Sequence, residues 1–275
     1  MKEHGIDSAS MELKSKILQY ENANDRVDAI KGIFEGETVY IVTPGPSLTT
    51  HNQEELIKKL EGKVVLACKQ AYNYVKEVTT FHLMSAYGYQ PYDYLNESTI
   101  VHWQLTAMNI EGELHRIKNE WKHKADILVP CYSTPWVDMF NTTAFSRRFN
   151  QFETYSEGKI IWGPGIMYES GIPLAIHLGA KKIVTIGWDI GDLSKFKKQS
   201  GFKLGDDNWR KEHADTLYNE GVHAGAGPDY RELKETIDST KEMYDYFLEK
   251  EIDFRILSNS NPADARFKRI TLNEL

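Results

Sequence analysis

Cysteine is scarce in this chain of 275 residues, which holds only Cys68 and Cys131. Two thiols can build neither a disulfide framework nor a four-cysteine zinc site, so the expectation is a pair of buried thiols in a reducing cytoplasm. Long hydrophobic runs are missing as well. No stretch approaches the roughly 18 to 20 consecutive apolar residues of a membrane-spanning helix, and the polar start Met1-Lys-Glu-His-Gly5 has no apolar signal-peptide core. A soluble, cytoplasmic protein is expected, with at most peripheral membrane contact. Positive charge is not in excess. A net charge of -7 argues against a surface that grips nucleic acid by its phosphates, while leaving room for a local basic pocket. There is no HExxH motif, no Cys/His cluster and no Asp-x-Asp pair. Asp206 and Asp207 are adjacent, and sequence neighbours seldom converge on one ion in regular structure. A tightly held metal is not expected. Internal repeats and Pro/Ser-rich linkers are also lacking, which favours one compact unit with the option of self-association.

What is present begins with Val39-Tyr-Ile-Val-Thr-Pro-Gly-Pro-Ser-Leu48, an apolar strand running into a Gly-Pro-Ser turn. A second such strand, Ile183-Val-Thr-Ile-Gly-Trp-Asp189, ends in Gly-x-Asp. Apolar β-branched runs that stop at Gly, Ser or Asp are the pattern of buried parallel strands, whose carboxyl ends are where open α/β sheets bind ligands. Further strands are expected at 63–68, 79–85, 99–103 and 125–129, the last closed by Pro130, with a final strand at 254–257. Helical spacing marks 8–35, 52–60 and the stretch from Gly165 to a stop at Gly179, with Pro173 implying a kink or boundary. A helix opening at Pro228 would bury Leu233, Ile237, Tyr244 and Leu248. The aromatic stretch 135–155 reads as loops and short helices. Strands alternating with helices predict a doubly wound, mostly parallel, Rossmann-like sheet. The expected layout is a helical lead-in over 1–35 and an α/β domain over 36–275, with a lid-like segment at 191–227.

The candidate chemistry sits at these strand ends. Gly45 permits a sharp turn and close approach of a ligand, and Ser47 can cap the next segment or bond a phosphate or ribose oxygen. The turn is neither a Walker A loop nor Gly-x-Gly-x-x-Gly. Gly163-Pro-Gly-Ile-Met167 precedes a helix and offers free N–H groups to an anion. Asp189 can hold a ribose hydroxyl or a metal, or cap a turn. His223 stands in the glycine frame Gly221-Val-His-Ala-Gly225 just before a helix, where an imidazole suits a general base, and His213 competes for the role. Lys195, Lys197, Lys198, Lys203, Arg210 and Lys211 crowd the same segment, either as a solvated surface or as a lid over a diphosphate, to which Tyr218 can add a phenol. Tyr87, Tyr89, Tyr92 and Trp136 fit a sugar-acceptor cleft or the core equally well.

Three blocks in order, the Gly45-Pro-Ser-Leu48 turn, Ala67-Cys-Lys-Gln70 and Leu178-Gly-Ala-Lys-Lys-Ile-Val-Thr-Ile-Gly-Trp-Asp189, resemble one superfamily. It contains the bacterial sialyltransferases of glycosyltransferase family 42, the flagellin-modifying motility accessory factors and the archaeal 6-hydroxymethylpterin diphosphokinases. The likeness in order of elements spans about 36–262, and Ser258-Asn-Ser-Asn-Pro262 looks similar to the family's Asn-Ser turn. The resemblance implies a nucleotide over the strand ends, beside Thr43, Gly45, Pro46, Ser47, Lys69, Gln70, Ser85 and Asp189. Its phosphates would lie near Gly163, Gly165, Ile166 and Met167. The sialyltransferase histidine that acts as base toward the acceptor hydroxyl falls, by position, on His223, and Tyr218 would assist. The family's asparagines are replaced here by Pro44 and Lys69, and the tyrosines after its Gly-x-Asp strand by Ile190 and Gly191. The implied activity is transfer of a sialic-acid-like sugar from a CMP donor to a glycan or protein acceptor, with no tightly bound cofactor. The alternatives are an ATP-dependent diphosphokinase of the pterin type, with Mg2+ held by carboxylates such as Asp189, and a nucleotide-binding module without catalysis.

Overall fold

A computed structural model describes residues 8–21, 23–85, 98–106, 125–132, 149, 152, 153, 155, 160, 161, 166–189, 230–258 and 261–275. Two helices, α1 (Ser8–Leu18) and α2 (Ala23–Ala29), precede β1 (Thr38–Val42). They are followed by α3 (Gln53–Leu60), β2 (Val64–Cys68), α4 (Tyr72–Val75), β3 (Phe81–Ser85), β4 (Ile100–Thr106), β5 (Ile127–Tyr132) and β6 (Ile160–Ile161). The second part holds α5 (Ile172–His177), β7 (Lys182–Ile186), α6 (Tyr230–Glu249), β8 (Asp253–Leu257) and β9 (Lys268–Arg269). All strand pairs are parallel, and the sheet runs β6-β5-β4-β3-β2-β1-β7-β8-β9. The fold is a doubly wound α/β sheet of the Rossmann type.

The central strands are apolar throughout because both of their faces are covered. Val39 and Ile41 of β1 join Leu66, Cys68, Phe81 and Leu83 beneath α1, α2, α5 and α6, while Tyr40 and Val42 join Val65, Ala67 and Met84 beneath α3 and α4. Each fully buried large aliphatic side chain contributes about 1.5–3 kcal/mol. The amino-terminal helices are part of this packing, with Ile17, Val27 and Ile30 fully or almost fully buried. Lys14 donates to the Thr99 carbonyl and pairs with Asp126 at 3.2 Å, and Arg26 donates to the Asp126 carbonyl, so this layer is tied to the amino ends of β4 and β5.

Several elements depart from the expectation. The 8–35 stretch is two helices followed by a turn rather than one helical run. Pro130 lies inside β5, which continues to Tyr132. Pro130 stays in register opposite Leu105 of β4, and on the other flank β6 pairs only with Cys131 and Tyr132. The two-residue strands β6 and β9 carry too few residues to show a pattern. Before α5 the chain makes a wide π turn over Met167–Gly171, and Pro173 sits in the first turn of the α-helix that follows. Proline cannot bond back into a preceding α turn, and the wider turn absorbs that mismatch. The buried face of α6 is one residue out of register with the expected stripe. Thr236, Ser239, Thr240, Met243 and Phe247 are buried, while Leu248 is 67% exposed. The hydroxyls on that face are satisfied locally, Ser239 by the Thr236 carbonyl and Thr240 by the Ile237 carbonyl, so polar residues occupy positions that an apolar stripe search assigns to solvent.

Candidate functional site

β1 lies in the middle of the sheet. The chain steps outward from it through β2 to β6, then returns to its other flank as β7, and the helices change face at the same point. Connections leaving β1 and β7 therefore diverge, and the crevice at their carboxyl ends is the usual ligand position of such sheets. The residues at this edge are Thr43–Ser47 after β1, Lys69–Gln70 after β2, Gly187–Asp189 after β7 and Ser258 after β8.

Asp189, 9% exposed, binds two of the other strand ends. Its Oδ2 accepts from the Ser47 amide at 2.6 Å and its Oδ1 from the Ser258 hydroxyl at 2.6 Å. Hydrogen bonds to a carboxylate are worth about 1.5–3 kcal/mol each. Asn261 adds to the link, since its Nδ2 donates to the Trp188 carbonyl and its Oδ1 accepts from the Ala263 amide at 2.8 Å. The guanidinium of Arg269 donates to the carbonyls of Asn261, Ala263, Asp264 and Phe267, which fixes the segment after β8. The approach that requires glycine at 45 is that of β7. Gly45 has ordinary extended angles (φ -77°, ψ 157°), but a Cβ there would stand 2.0 Å from the Gly187 carbonyl oxygen and 2.7 Å from Asp189 Oδ2. Gly187 in turn has φ +73°, and its Cβ would meet the Thr43 carbonyl oxygen at 2.3 Å. Thr43 is occupied by the sheet as well, its amide and hydroxyl both donating to the Ile186 carbonyl.

The β2 side of the edge is built differently. Lys69 has φ +49°, a left-handed conformation costing a side-chain-bearing residue roughly 1–2 kcal/mol. The fully buried His82 Nε2 bonds the Lys69 carbonyl at 2.9 Å, and the His82 ring stacks on Tyr72 with centroids 4.4 Å apart. Burial drives the His82 pKa down to about 3, so the ring is neutral and its Nε2–H is the donor. The ammonium of Lys69 has no hydrogen-bond or ion-pair partner among the described residues. Gln70 is 4% exposed, and its buried Oε1 also lacks a partner, as do Ser47 Oγ and His51 Nε2. Burial pushes the His51 pKa down, while Asp189 and Glu55 pull it up. An unsatisfied buried acceptor costs about 1–3 kcal/mol, and such atoms in a crevice at strand ends are groups a ligand can satisfy.

No protein-family model matches this chain. A search of curated proteins finds no match either. The reading of the site therefore rests on its residues. Of those singled out in the sequence, Thr43, Gly45, Ser47, Lys69, Gln70 and Asp189 come together at the carboxyl edge, Pro46 opens the turn after Gly45, and the backbone of Ser85 ends β3 on the same edge. Ile166 and Met167 are buried in the core with Ile41 and Leu66, which leaves their backbone rather than their side chains to meet a ligand. Gly163, Gly165, Tyr218, His223, the competitor His213, the lysine-rich segment, Ile190 and Gly191, and the aromatic residues Tyr87, Tyr89, Tyr92 and Trp136 lie outside the described residues. His51, Tyr72 and His82 were not anticipated. A histidine within an apolar strand is a weak signal for His82, and nothing in a lysine announces a left-handed backbone. Among the described residues no group of three His, Cys, Asp or Glu side chains is placed to hold a metal ion, and no helix is long and apolar enough to cross a membrane.

Proposed function

We propose that the crevice at the carboxyl ends of β1, β2 and β7 binds a cytidine nucleotide, and that the chain transfers a sialic-acid-like sugar from a CMP donor to a hydroxyl of a glycan or protein. The observation that carries this reading is that Ser47 Oγ and Gln70 Oε1 are both buried polar atoms without hydrogen-bond partners, in the turns that follow the adjacent strands β1 and β2, at the switch point of a doubly wound sheet. A hydroxyl that both donates and accepts suits a ribose or phosphate oxygen, and a buried amide oxygen suits an N–H donor of the ligand. The donor type itself follows from the resemblance of the three sequence blocks.

In the proposed reaction the acceptor hydroxyl attacks the anomeric carbon as the bond from that carbon to the phosphate oxygen breaks. CMP leaves with the bonding pair, and direct attack inverts the anomeric centre. His223 takes the hydroxyl proton and Tyr218 assists. Backbone amides of Gly163 to Met167 and nearby lysines stabilise the departing phosphate. The test is a nucleotide series of CMP, ATP, GDP and UDP in calorimetry and thermal melts. A ligand at a hundredfold its Kd stabilises the folded chain by about 2.7 kcal/mol, and CMP is expected to do so. Protection by ATP and not by CMP overturns the transferase reading, and magnesium-dependent release of AMP from ATP and a pterin alcohol would put a diphosphokinase in its place. His223→Ala is expected to abolish sugar transfer while leaving CMP binding within about threefold.

A further inference from the structure

Two residues other than glycine have left-handed backbone angles among the described residues, Lys69 and Glu251. Glu251 has an ordinary reason. It follows α6, and the bond from the Ile252 amide to the Phe247 carbonyl closes the helix through a left-handed residue. Lys69 has no such reason, because it closes no helix: it follows the last residue of β2 and opens a short 3-10 turn, Lys69–Ala71. Its conformation is held from outside by His82, a fully buried histidine on the neighbouring strand that spends its Nε2–H on the Lys69 carbonyl and is itself fixed by the Tyr72 ring. A strained backbone persists where its surroundings over-determine it, and such positions cluster at ligand sites. What this one carries is an ammonium without an ion pair among the described residues, next to the buried acceptor of Gln70, in a chain of net charge -7.

We propose that Lys69 selects for a phosphate group on the ligand, and that His82 is the positioning residue that holds Lys69 in the conformation that presents its charge to the crevice. This deepens the nucleotide reading and rests on it. The left-handed turn redirects the chain immediately after Cys68, so that Lys69 and Gln70 both stand at the edge rather than continuing the alternation of β2 into the two apolar layers. Lysine supplies a compact charge for one phosphate, and its own backbone needs an outside hold that glycine or asparagine would not.

The experiment measures binding of CMP and of cytidine by calorimetry at two salt concentrations. The parent chain is expected to bind CMP at least about tenfold more tightly than cytidine, with the CMP affinity falling as salt rises. In Lys69→Asn, which tolerates the same backbone without the charge, that preference falls toward one and the salt dependence flattens, whereas Lys69→Arg keeps most of both. His82→Phe retains a ring to stack on Tyr72 but loses the donor, and is expected to lose the preference in part, with His82→Gln restoring it. Should His82→Phe fail to fold by circular dichroism, the Lys69 pair still decides. Equal weakening of CMP and cytidine in Lys69→Asn, or no change in either, overturns the role of Lys69 while the nucleotide reading stands. Absence of binding by both ligands in the parent chain overturns the two together.

Discussion

Replacing Asp189 by asparagine keeps the shape of the side chain and changes what its two oxygens can accept. In the native edge Oδ2 receives the Ser47 amide and Oδ1 the Ser258 hydroxyl, both at 2.6 Å, on a side chain that is 9% exposed. An amide retains one acceptor for the Ser47 N–H and turns an uncharged NH2 group to Ser258, whose hydroxyl must then accept rather than donate. One charge-assisted bond is lost and the second weakened, which at about 1.5–3 kcal/mol per bond predicts a loss of about 2–3 kcal/mol. For a chain of this size that corresponds to roughly 5–10 °C in Tm. Asp189→Ala removes both bonds and strands the Ser47 amide, and is expected to cost about 3–5 kcal/mol. Ser258→Ala should cost about 1–2 kcal/mol, and the double variant Asp189→Asn, Ser258→Ala less than the sum by about 1 kcal/mol, because the shared bond is counted twice in the singles. Urea unfolding followed by circular dichroism gives all four values. A stability of Asp189→Asn within about 0.5 kcal/mol of the parent, together with strict additivity in the cycle, would refute the view that this carboxylate ties the three strand ends together.

Three other outcomes follow from the same geometry. Gly45→Ala drives a Cβ to within 2.0 Å of the Gly187 carbonyl oxygen and should cost about 3 kcal/mol in urea unfolding, although the backbone angles at 45 suit alanine; a neutral result would mean that the β1 and β7 turns separate easily. Burial lowers the pKa of His82 to about 3 and of His102 to about 4, so between those values and the ordinary histidine value of 6.5 the unfolded chain binds more protons than the folded one. Stability is then complete above about pH 6.5 and falls with acidification, by about 2 kcal/mol per histidine between pH 7 and pH 5, which equilibrium unfolding at the two pH values checks and a flat profile would contradict. Gln70→Met removes an unpartnered buried acceptor at similar volume, so stability should stay within about 0.5 kcal/mol or rise, while CMP affinity drops about tenfold in calorimetry.

How far the fold can be read from residue order depends on what each residue reports. β1, β2 and β7 are buried on both faces, so their sequences are continuous apolar runs, and the Gly-x-Asp and Gly-Pro-Ser endings mark their carboxyl edge. The same logic fails for β5, where Pro130 reads as a stop signal yet stays in register opposite Leu105 of β4, and the strand continues to Tyr132. It fails for α6 because threonine and serine hydroxyls bond back to their own helix, which lets them be buried at positions a search for apolar spacing passes over. In the site, the type of residue at the edge was legible and its use was not. Gly45 is identifiable as a residue that permits close approach, but only the pairing of Thr38–Val42 with Lys182–Ile186 shows that the approaching group is the backbone of the next strand. Asp189 reads as a free carboxylate until Ser258, 69 residues away, is brought against it. The conformation of Lys69 depends on His82, and local sequence holds no trace of that contact.

The two halves of the edge divide labour. On the β7–β8 side the donors and acceptors of Asp189, Ser258, Asn261 and Arg269 are engaged with protein partners, so that side is rigid and has little bonding capacity to lend. On the β1–β2 side Ser47 Oγ, Gln70 Oε1 and the Lys69 ammonium have no partner among the described residues, and they hang from turns that the first side and His82 hold in place. Recognition needs groups that are both uncommitted and positioned, since a group free to rotate loses in ordering entropy what it gains in contact. The Ser47 turn meets this condition because Asp189 fixes its backbone through the amide and leaves the hydroxyl of the same residue unbonded. Substitutions among the engaged residues should therefore show first as lost stability, and substitutions among the uncommitted ones as lost affinity at nearly constant stability, a separation that an edge serving only to close the sheet would not produce.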